Sequence, residues 1–387
     1  MAHGKVKRKI CVISGSRSDY GILFSVLNAI EKEPSLKLCL IATCMHLMKE
    51  FGYTLRAIEK DGFKVDRTID ISYKEDSGAA MAEAIGKAVS QFSVAYKDFK
   101  PDVVLILGDR GEVLAAAVAA SYMNIPVAHI HGGEVSGHVD GAVRHAITKL
   151  AHIHFTATAQ AKQRVLALGE EPWRVFQSGA PALDRLRSGD ITARSVLMKK
   201  YRIDVKKPLA MVVQHPVQTE MDQADSQILE TMNAVTTLKI PAIMIYPNAD
   251  AGSRRMIKLI KQFEAEGLIQ FFKSIPHEDY LGLLGLASVL VGNSSSGIVE
   301  SPAFKLPVVN IGPRQKGRER SENVLDVPYK KDAIIKAVRK AVNNKNFRQK
   351  VQRCHNAYGD GRAAERIVRV LAVVKLDKKL LNKQMTY

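Results

Sequence analysis

Short apolar runs rich in β-branched residues alternate with amphipathic helical patterns along most of the chain. The first run, KICVISG, is followed by a segment that ends at Pro34 and whose apolar residues recur at helical spacing: Ile22, Leu23, Val26, Leu27 and Ile30. Near-continuous apolar strands joined by helices are typical of a parallel sheet covered on both faces. The pattern therefore predicts the α/β class with doubly wound parallel sheets.

The alternation weakens between Ser178 and Lys207, a polar and basic stretch, and then resumes. Before this stretch, one helical pattern continues to about Lys60 and a longer one runs from Gly78 to Phe99. A chain of 387 residues is too long for one ordinary core, so we expect two doubly wound domains with ligand in the cleft between them. The strands of the second domain are expected at PLAMVVQ, IPAIMIYP, IQFFKSI, SVLVGN and LPVVNIG.

The net charge of +18, from 57 basic and 39 acidic residues, points to an anionic partner such as nucleic acid or a phosphorylated small molecule. Much of the excess lies in short tracts such as MKKYRIDVKK and KLDKKLLNK. Aromatic residues make up only 6% and are not interleaved with a basic stripe. A solvated lysine-rich surface therefore explains the charge better than a nucleic-acid footprint.

Four cysteines without paired metal-ligand spacing indicate buried free thiols, which fit a reducing compartment. The basic start of the chain carries an apolar run too short for a signal peptide, and no apolar run reaches membrane-spanning length. We therefore expect a cytoplasmic protein without a membrane partner.

Polar clusters follow the predicted strands, and VGNSSSG is the richest of them in the second half. A helix is expected to begin near Ser296, so its first-turn amides point outward with partial positive charge. Together with Ser294 and Ser295 they can hold a diphosphate, and Glu300, one turn further, can accept from a ribose diol. The alternative is that the serines are only helix N-caps.

In the first half, GSRSDYG carries Arg17 and offers a second anion site, with a solvated arginine as the alternative. LGDRGEV places Asp109 and Arg110 at a strand end, where the aspartate could also cap a helix. One loop-helix segment gathers imidazoles and carboxylates: His129, His131, Glu134, His138, Asp140 and His145. Without an H-E-x-x-H motif or Cys/His pairing, acid/base work at a carbon acid or glycosidic carbon is favoured over zinc.

Two further polar positions follow strands of the second half. QHPVQTE puts His215 directly after a strand. The histidine either has a functional role at the strand end or only occupies a turn before the proline. YPNADAGSRR supplies Asn248 as a neighbour of a nucleobase or phosphate, with a loop cap as the alternative.

Eight motifs, in order between Lys9 and Val370, resemble the hydrolysing UDP-N-acetylglucosamine 2-epimerases of sialic-acid and legionaminic-acid synthesis. The resemblance implies a GT-B-like fold, a homodimer or homotetramer, a UDP-sugar substrate, and neither metal nor cofactor. We expect a Rossmann-like domain at 1–185, a linker at 186–206, a UDP-binding domain at 207–360, and a helix in 361–387 that crosses back towards the first domain. The motifs are GSRSDYG, GDRGE, HIHGGEVSGHVDGAVRHAITKLAH, QHPVQTE, YPNADAGSRR, VGNSSSGIVESPAF, GPRQKGRERSENV and YGDGRAAERIV.

The same resemblance assigns roles to individual residues. His131 stands where animal relatives have glutamate, so Asp109 and Glu134 both remain candidates for the base at C2 of the sugar. The implied catalytic residues are Asp109, Glu134, Asp140 and His215. The substrate-binding residues that the resemblance implies are Arg17, Ser294, Ser295, Glu300 and Arg314. The local clusters described above add Arg110, His131, His145, Asn248 and Ser296 as further candidates for substrate binding.

The reaction implied by the resemblance is loss of UDP with the C2 proton, which leaves a 2-acetamidoglucal that water then hydrates to the free manno sugar. A GT-B glycosyltransferase with the same UDP cradle is one alternative. A non-catalytic protein that binds nucleic acid or nucleotide sugars is another. The sugar, N-acetylglucosamine or a 2,4-diacetamido-trideoxy relative, and the nucleotide, UDP or GDP, are left open by the motifs.

Overall fold

The computed structural model describes residues 6–71, 75, 77–135, 140–267 and 269–387. Within these residues the chain divides into two compact units. The first contains the chain up to Glu134 together with Asp140–Arg187 and Tyr358–Tyr387, and the second contains Val135 and Ser188–Ala357.

Thirteen strands, β1 to β13, are present in the described chain; all are short, and those inside the two sheets are mostly buried. Their apolar, β-branched residues suit a sheet that is covered on both faces. In chain order they are Arg8–Ser14, Leu36–Thr43, Arg67–Ile69, Val103–Leu107, Val127–Ile130, Ile153–Thr156, Val175–Gln177, Ala210–Val213, Ala242–Ile245, Ile269–Phe272, Val289–Gly292, Val308–Ile311 and Val324–Val327.

Each unit contains one parallel sheet. The first has the strand order β3-β2-β1-β4-β5-β6-β7, and the second has the order β10-β9-β8-β11-β12-β13. All strand pairs within the described part of these sheets are parallel. The winding direction reverses between β1 and β4 in the first sheet and between β8 and β11 in the second, and ligands of such sheets bind beyond the strand ends at these points.

Sixteen α-helices, α1 to α16, connect or follow the strands of the described chain. Ser16 caps the first of them, since its side chain accepts a hydrogen bond from the amide of Asp19 at 3.3 Å. In chain order they are Arg17–Lys32, Leu55–Lys60, Gly78–Phe99, Gly111–Tyr122, Asp140–Leu150, Ala159–Ala167, Asp184–Ser188, Arg194–Lys200, Ala224–Leu238, Ser253–Ile260, His277–Leu286, Ser296–Val299, Lys331–Asn343, Lys345–Arg353, Ala363–Val373 and Lys378–Leu381.

The end of the chain belongs to the core of the first unit. Ile367 and Leu371 of α15 are fully buried in the same apolar cluster as Ile10 and Val12 of β1 and Leu27 of α1. The second unit has its own cluster, built from β8, β9, β11 and β12 and from helices α9, α10, α13 and α14. None of the described helices is both long and apolar enough to cross a bilayer.

The fold confirms the two parallel-sheet domains, but two local expectations differ from the structure. The helix expected to continue to about Lys60 is broken into short turns, because Gly52 and Tyr53 adopt positive φ of 103° and 44°. The edge strands β7 and β13 were not expected at all, since three or four residues carry little periodic signal.

The expected linker at 186–206 contains helix α8 and lies, from Ser188 onward, within the second unit. The buried carboxylate of Asp279 anchors it, accepting hydrogen bonds from Thr192 (2.5 Å), Lys200 (2.5 Å) and Tyr201 (2.6 Å). Burial acts to raise the pKa of Asp279, but these hydrogen bonds outweigh it and lower the pKa. Part of the polar, basic composition of this segment belongs to the exposed side of α8, in which Leu197 is buried.

We expect Asp279→Ala to lower the free energy of unfolding of the second unit by about 2–3 kcal/mol, because three donors lose a charged acceptor. Urea denaturation followed by circular dichroism measures this loss. Lys200→Met is the matched control and is expected to cost less than about 1 kcal/mol, because the Lys200 side chain is 50% exposed. Equal losses in the two variants would contradict the anchoring role of Asp279.

Candidate active site

Asp109 lies at the reversal point of the first sheet, directly beyond the carboxyl end of β4. The preceding Gly108 has a φ of +79°, a conformation that favours glycine and turns the chain away from the strand. The Asp109 carboxylate accepts a hydrogen bond from Arg144 of α5, and both side chains are largely buried, at 15% and 7% exposed. The motif loop that carries Arg17 follows the neighbouring strand β1.

Beside Asp109, Arg110 donates from Nε to Oε1 of Glu112 at 2.7 Å. Glu112 is buried so closely against Gly15 that a Cβ atom there would lie 2.0 Å from the same Oε1. Burial raises the pKa of the nearby Asp19 to about 7, with Arg110 opposing and Glu112 reinforcing the rise. Sequence reasoning missed Asp19, Glu112 and Arg144 as members of this cluster, although each stands inside a quoted motif.

His131 and Glu134 form a second buried group in the turn after β5. Nδ1 of His131 lies 3.6 Å from Oε1 of Glu134, and the two residues are 8% and 3% exposed. His131 has a φ of +67°, and Gly133 has a φ of +77° where a Cβ atom would meet the carbonyl of Ala161 at 2.1 Å. The tight turn therefore holds an imidazole and a carboxylate together at the strand end.

Two other predicted residues of this unit lie on α5. Asp140 begins the helix, but its side chain, like all of His138, falls outside the described residues. Burial lowers the pKa of His145. In the described part of the chain its buried Nδ1 makes no hydrogen bond.

At the reversal point of the second sheet, His215 follows β8 and Asn293 follows β11. The Asn293 side chain accepts from the His215 amide (2.7 Å) and donates to its carbonyl (2.9 Å), which locks the two strand ends together. Nδ1 of His215 accepts from the amide of Asn248 at 3.1 Å. A neutral His215 in this arrangement carries its proton on Nε2 and is a donor there.

The serine turn follows Gly292, whose φ is +129° and where a Cβ atom would lie 2.0 Å from the Val213 carbonyl. Helix α12 begins at Ser296 as expected but has only four residues. Its first amides are partly occupied, since Ser296 donates to Oγ of Ser294 (3.3 Å) and Gly297 to the Ser294 carbonyl (3.1 Å). The helix dipole is therefore weaker than the sequence implied, and Ser294 acts as a local cap.

Glu300 ends this short helix and is buried, at 6% exposed. Burial raises its pKa to about 7, while hydrogen bonds from its own backbone and from Ser296 act in the opposite direction. A carboxyl group with this pKa can accept or donate a hydrogen bond near neutral pH.

Arg314 reaches the serine turn from beyond β12. Its Nη1 donates to the Asn293 carbonyl at 3.2 Å, and the unforeseen Gln315 donates to the same oxygen at 2.8 Å. Nε of Arg314 is buried and, among the described residues, has no hydrogen-bond partner. A buried cationic donor beside small hydroxyls is suited to an anion.

No group of three or more histidines, cysteines, aspartates and glutamates in the described ranges is arranged to hold a metal ion. The acidic residues of the first unit contact cations and an imidazole instead. The first unit thus offers carboxylate and imidazole groups for proton transfer, and the second offers hydroxyl, imidazole and guanidinium donors for an anion.

Residues 28–372 match the family described as UDP-N-acetylglucosamine 2-epimerase, and the chain belongs to this family. It is 38% identical, over 98% of its length and 100% of the relative's, to the UDP-N,N'-diacetylbacillosamine 2-epimerase (hydrolyzing) of Legionella pneumophila. It is 35% identical, over 94% of its length and 93% of the relative's, to polysialic acid biosynthesis protein P7 of Escherichia coli.

The fold is also that of a solved structure, the UDP-GlcNAc 2-epimerase of Neisseria meningitidis bound to UDP-GlcNAc. The TM-score is 0.79 at 18% identity, with 94% of this chain and 99% of the other covered. This likeness confirms the expected fold with its two parallel-sheet domains.

Proposed function

We propose that the protein is a hydrolysing nucleotide-sugar 2-epimerase that releases UDP and a free manno-configured sugar. The observation that carries the proposal is the set of buried acid/base groups at the strand ends of the first unit: Asp109, His131 and Glu134. Removal of a proton from carbon requires such a base, whereas binding of a nucleotide sugar alone does not. The end-to-end match to a relative named as hydrolysing supports the same reaction.

The reaction begins with elimination. A carboxylate, Asp109 or Glu134, removes the proton at C2 while the bond between C1 and the diphosphate oxygen breaks, which leaves a 2-acetamidoglucal and UDP. Water then adds a hydroxyl to C1 and a proton to the opposite face of C2. Asp140 and the second carboxylate of the pair are the candidates for the proton donor of this step.

The departing UDP carries negative charge, and the donors of the second unit stabilise it. We assign His215 to the leaving group because Nδ1 accepts from the Asn248 amide, which places the proton of the neutral imidazole on Nε2, and such a donor suits a diphosphate oxygen. Ser294, Ser295, Ser296 and Arg314 bind the diphosphate, and Glu300 binds the ribose hydroxyls. Arg17, Arg110 and His145 supply further contacts to the substrate.

The substrate is UDP-N,N'-diacetylbacillosamine or UDP-N-acetylglucosamine. The free sugar that is released enters nonulosonic-acid synthesis. The first sugar is named for the Legionella relative and the second for the family. Turnover assays with both UDP-sugars and with the GDP form of the first, each followed by NMR, separate the substrates by kcat/KM.

In D₂O, we expect each turnover to release one UDP and one free sugar that carries deuterium at C2, because the proton added at C2 comes from solvent. Proton NMR of the product measures this incorporation. Release of UDP without C2 deuterium would contradict the epimerase. Release only in the presence of an acceptor would indicate a glycosyltransferase, and salt-dependent DNA binding without turnover would indicate a binding protein.

The assembly we propose is a homodimer or homotetramer located in the cytoplasm. The assembly is the one that the motif resemblance implies. The four cysteines, which are all buried free thiols, support the reducing compartment. Light scattering after size-exclusion chromatography measures the number of subunits.

A further inference from the structure

We propose that the last ten residues of the chain, the C-terminal segment (378–387), hold helix α5 in the position that Asp109 requires, and that Lys383 is the positioning residue. The inference rests on the proposed function, which gives Asp109 its role in proton transfer. Both the segment and α5 belong to the first unit.

The segment is held through a buried carboxylate. Glu170, whose side chain is fully buried, accepts from Lys149 at 2.8 Å and from His154 at 3.0 Å. Lys383 of the C-terminal segment adds a third contact to the same carboxylate at 2.7 Å. Loss of a donor from a buried carboxylate is costly, and the Lys383 side chain is only 17% exposed, so Lys383 is part of the interior rather than a surface lysine.

The Lys383 ammonium also lies at the C-terminal end of α5. It is within hydrogen-bond distance of the carbonyl oxygens of Thr148 (3.3 Å), Lys149 (2.8 Å) and Ala151 (2.7 Å). The last carbonyls of a helix have no partner within the helix and carry partial negative charge. Lys383 therefore caps the very helix that carries Arg144, the partner of Asp109.

Arg174 fixes the C-terminal segment from its other side. Its fully buried guanidinium donates to the carbonyls of Leu380 (2.6 Å) and Lys379 (2.7 Å) at the end of α16. The ring of Tyr387 packs against Gly169 so closely that a Cβ atom there would lie 2.4 Å from it. The C-terminal segment is thus held by three sets of contacts, those of Lys383, Arg174 and Tyr387, and can restrain the position of α5.

A series of hydrogen bonds leads from the capped end of α5 to the strand end. Oγ1 of Thr148 lies 3.0 Å from the Arg144 carbonyl and 3.5 Å from Nδ1 of His129, and its single proton can be donated to either of these acceptors. Nε2 of His129 lies 2.7 Å from the carbonyl of Gly108, the residue before Asp109. Burial lowers the pKa of His129 to about 3, so the neutral ring donates from Nε2 to that carbonyl.

Asp109 therefore depends on α5 in two ways: through Arg144, which contacts its carboxylate, and through Thr148 and His129, which hold its backbone. A displacement of about 1 Å at a reacting group costs on the order of a hundredfold in rate. A partial shift of α5 is expected to act on kcat more than on KM, because the anion-binding residues of the second unit are unchanged and His145 is the one assigned substrate contact that lies on α5.

The test compares Lys383→Met with Lys375→Met, a control at an exposed lysine near the end of the chain. We expect Lys383→Met to lower kcat at least about tenfold with KM changed less than about threefold, and Lys383→Arg to recover part of the loss. Trp173 is the only tryptophan in the chain. The centre of its ring lies 4.1 Å from Cζ of Arg174 and 5.0 Å from Nζ of Lys379. Its fluorescence therefore reports whether the C-terminal segment stays in place.

A second variant, Thr148→Val, leaves Lys383 in place and removes the hydroxyl that links α5 to His129. We expect the same selective loss of kcat with unchanged Trp173 fluorescence, which keeps the proposal testable if Lys383→Met does not fold. Wild-type kcat and pH profile in both variants would overturn the proposal.

Hydrogen exchange of residues 140–150 is the readout that does not depend on activity. Faster exchange in Lys383→Met than in Lys375→Met is expected, and equal exchange would overturn the positioning role. A different result would be a wild-type protein that turns over no nucleotide sugar while Lys383→Met still exchanges faster than Lys375→Met. This result would refute the proposed function but would support the contact between the C-terminal segment and α5.

Discussion

Asp109→Asn is expected to fold normally and to lose at least about a hundredfold in the rate of UDP release, the usual contribution of a positioned acid or base. The amide keeps the size of the side chain and can still accept from Arg144, but it cannot take up a proton. Glu134→Gln, in the buried pair with His131, is expected to lose a comparable factor. Steady-state kinetics and circular dichroism measure rate and folding.

The 2-acetamidoglucal, supplied as substrate, separates the two carboxylates. Hydration of the glycal bypasses removal of the C2 proton, so the variant that lost only the base at C2 is partly rescued. Asp98→Asn is the matched control, since its carboxylate forms an exposed ion pair with Arg67 at 2.7 Å. Full activity of either carboxamide variant on the nucleotide sugar would remove that residue from the mechanism, and equal unrescued loss would direct attention to Asp140.

Glu300→Gln is expected to stabilise the ligand-free protein at pH 8 and to weaken UDP binding. The pKa of Glu300 is raised by burial from 4.5 to about 7 in the folded state, so the folded state binds the proton more tightly than the unfolded state does. The free energy of unfolding therefore falls as pH rises from 4.5 towards 7, and this loss is complete above 7. A shift of this size corresponds to about 3 kcal/mol, which glutamine avoids.

Urea denaturation of wild type and Glu300→Gln between pH 5 and pH 8.5 measures the difference. The raised pKa of Asp19 makes the same contribution to the pH dependence of both proteins, so it cancels in the difference between their free energies of unfolding. Glu322→Gln, at an exposed glutamate of the same unit, serves as the control. Parallel pH profiles for wild type and Glu300→Gln would show that Glu300 does not titrate in this range. Unchanged UDP affinity in calorimetry would remove it from the nucleotide site.

The longer elements could be predicted because their local patterns and their tertiary environment agree. The helix expected from Gly78 to Phe99 has these bounds in the structure, and the five strand-like runs of the second half each contain a strand. Edge strands β7 and β13 escaped prediction because a sheet neighbour, rather than their own residues, makes them strands. The contact that holds the segment at 186–206 could not be predicted, because the carboxylate of Asp279 lies far along the chain.

The candidate site was predictable where a polar residue directly follows an apolar strand, as with Asp109, His131, His215 and the serine turn. A parallel sheet brings all such strand ends to one edge, so their position in the sequence already implies proximity within each unit. Residues that lie within a helix, such as Arg144 in α5 and Glu112 in α4, could not be found in this way. Their direction depends on how the helix packs.

The sequence by itself determined the α/β class, the division into two parallel sheets and the family, because strand periodicity and ordered motifs are local properties of the chain. Only the tertiary structure decided which groups meet: Arg144 with Asp109, His131 with Glu134, and Asn293 with His215. It also decided that Asp19 and Glu300 have pKa values near 7, and that Lys383 caps α5. Contacts and burial between residues far apart in sequence arise from packing, and no local pattern encodes them.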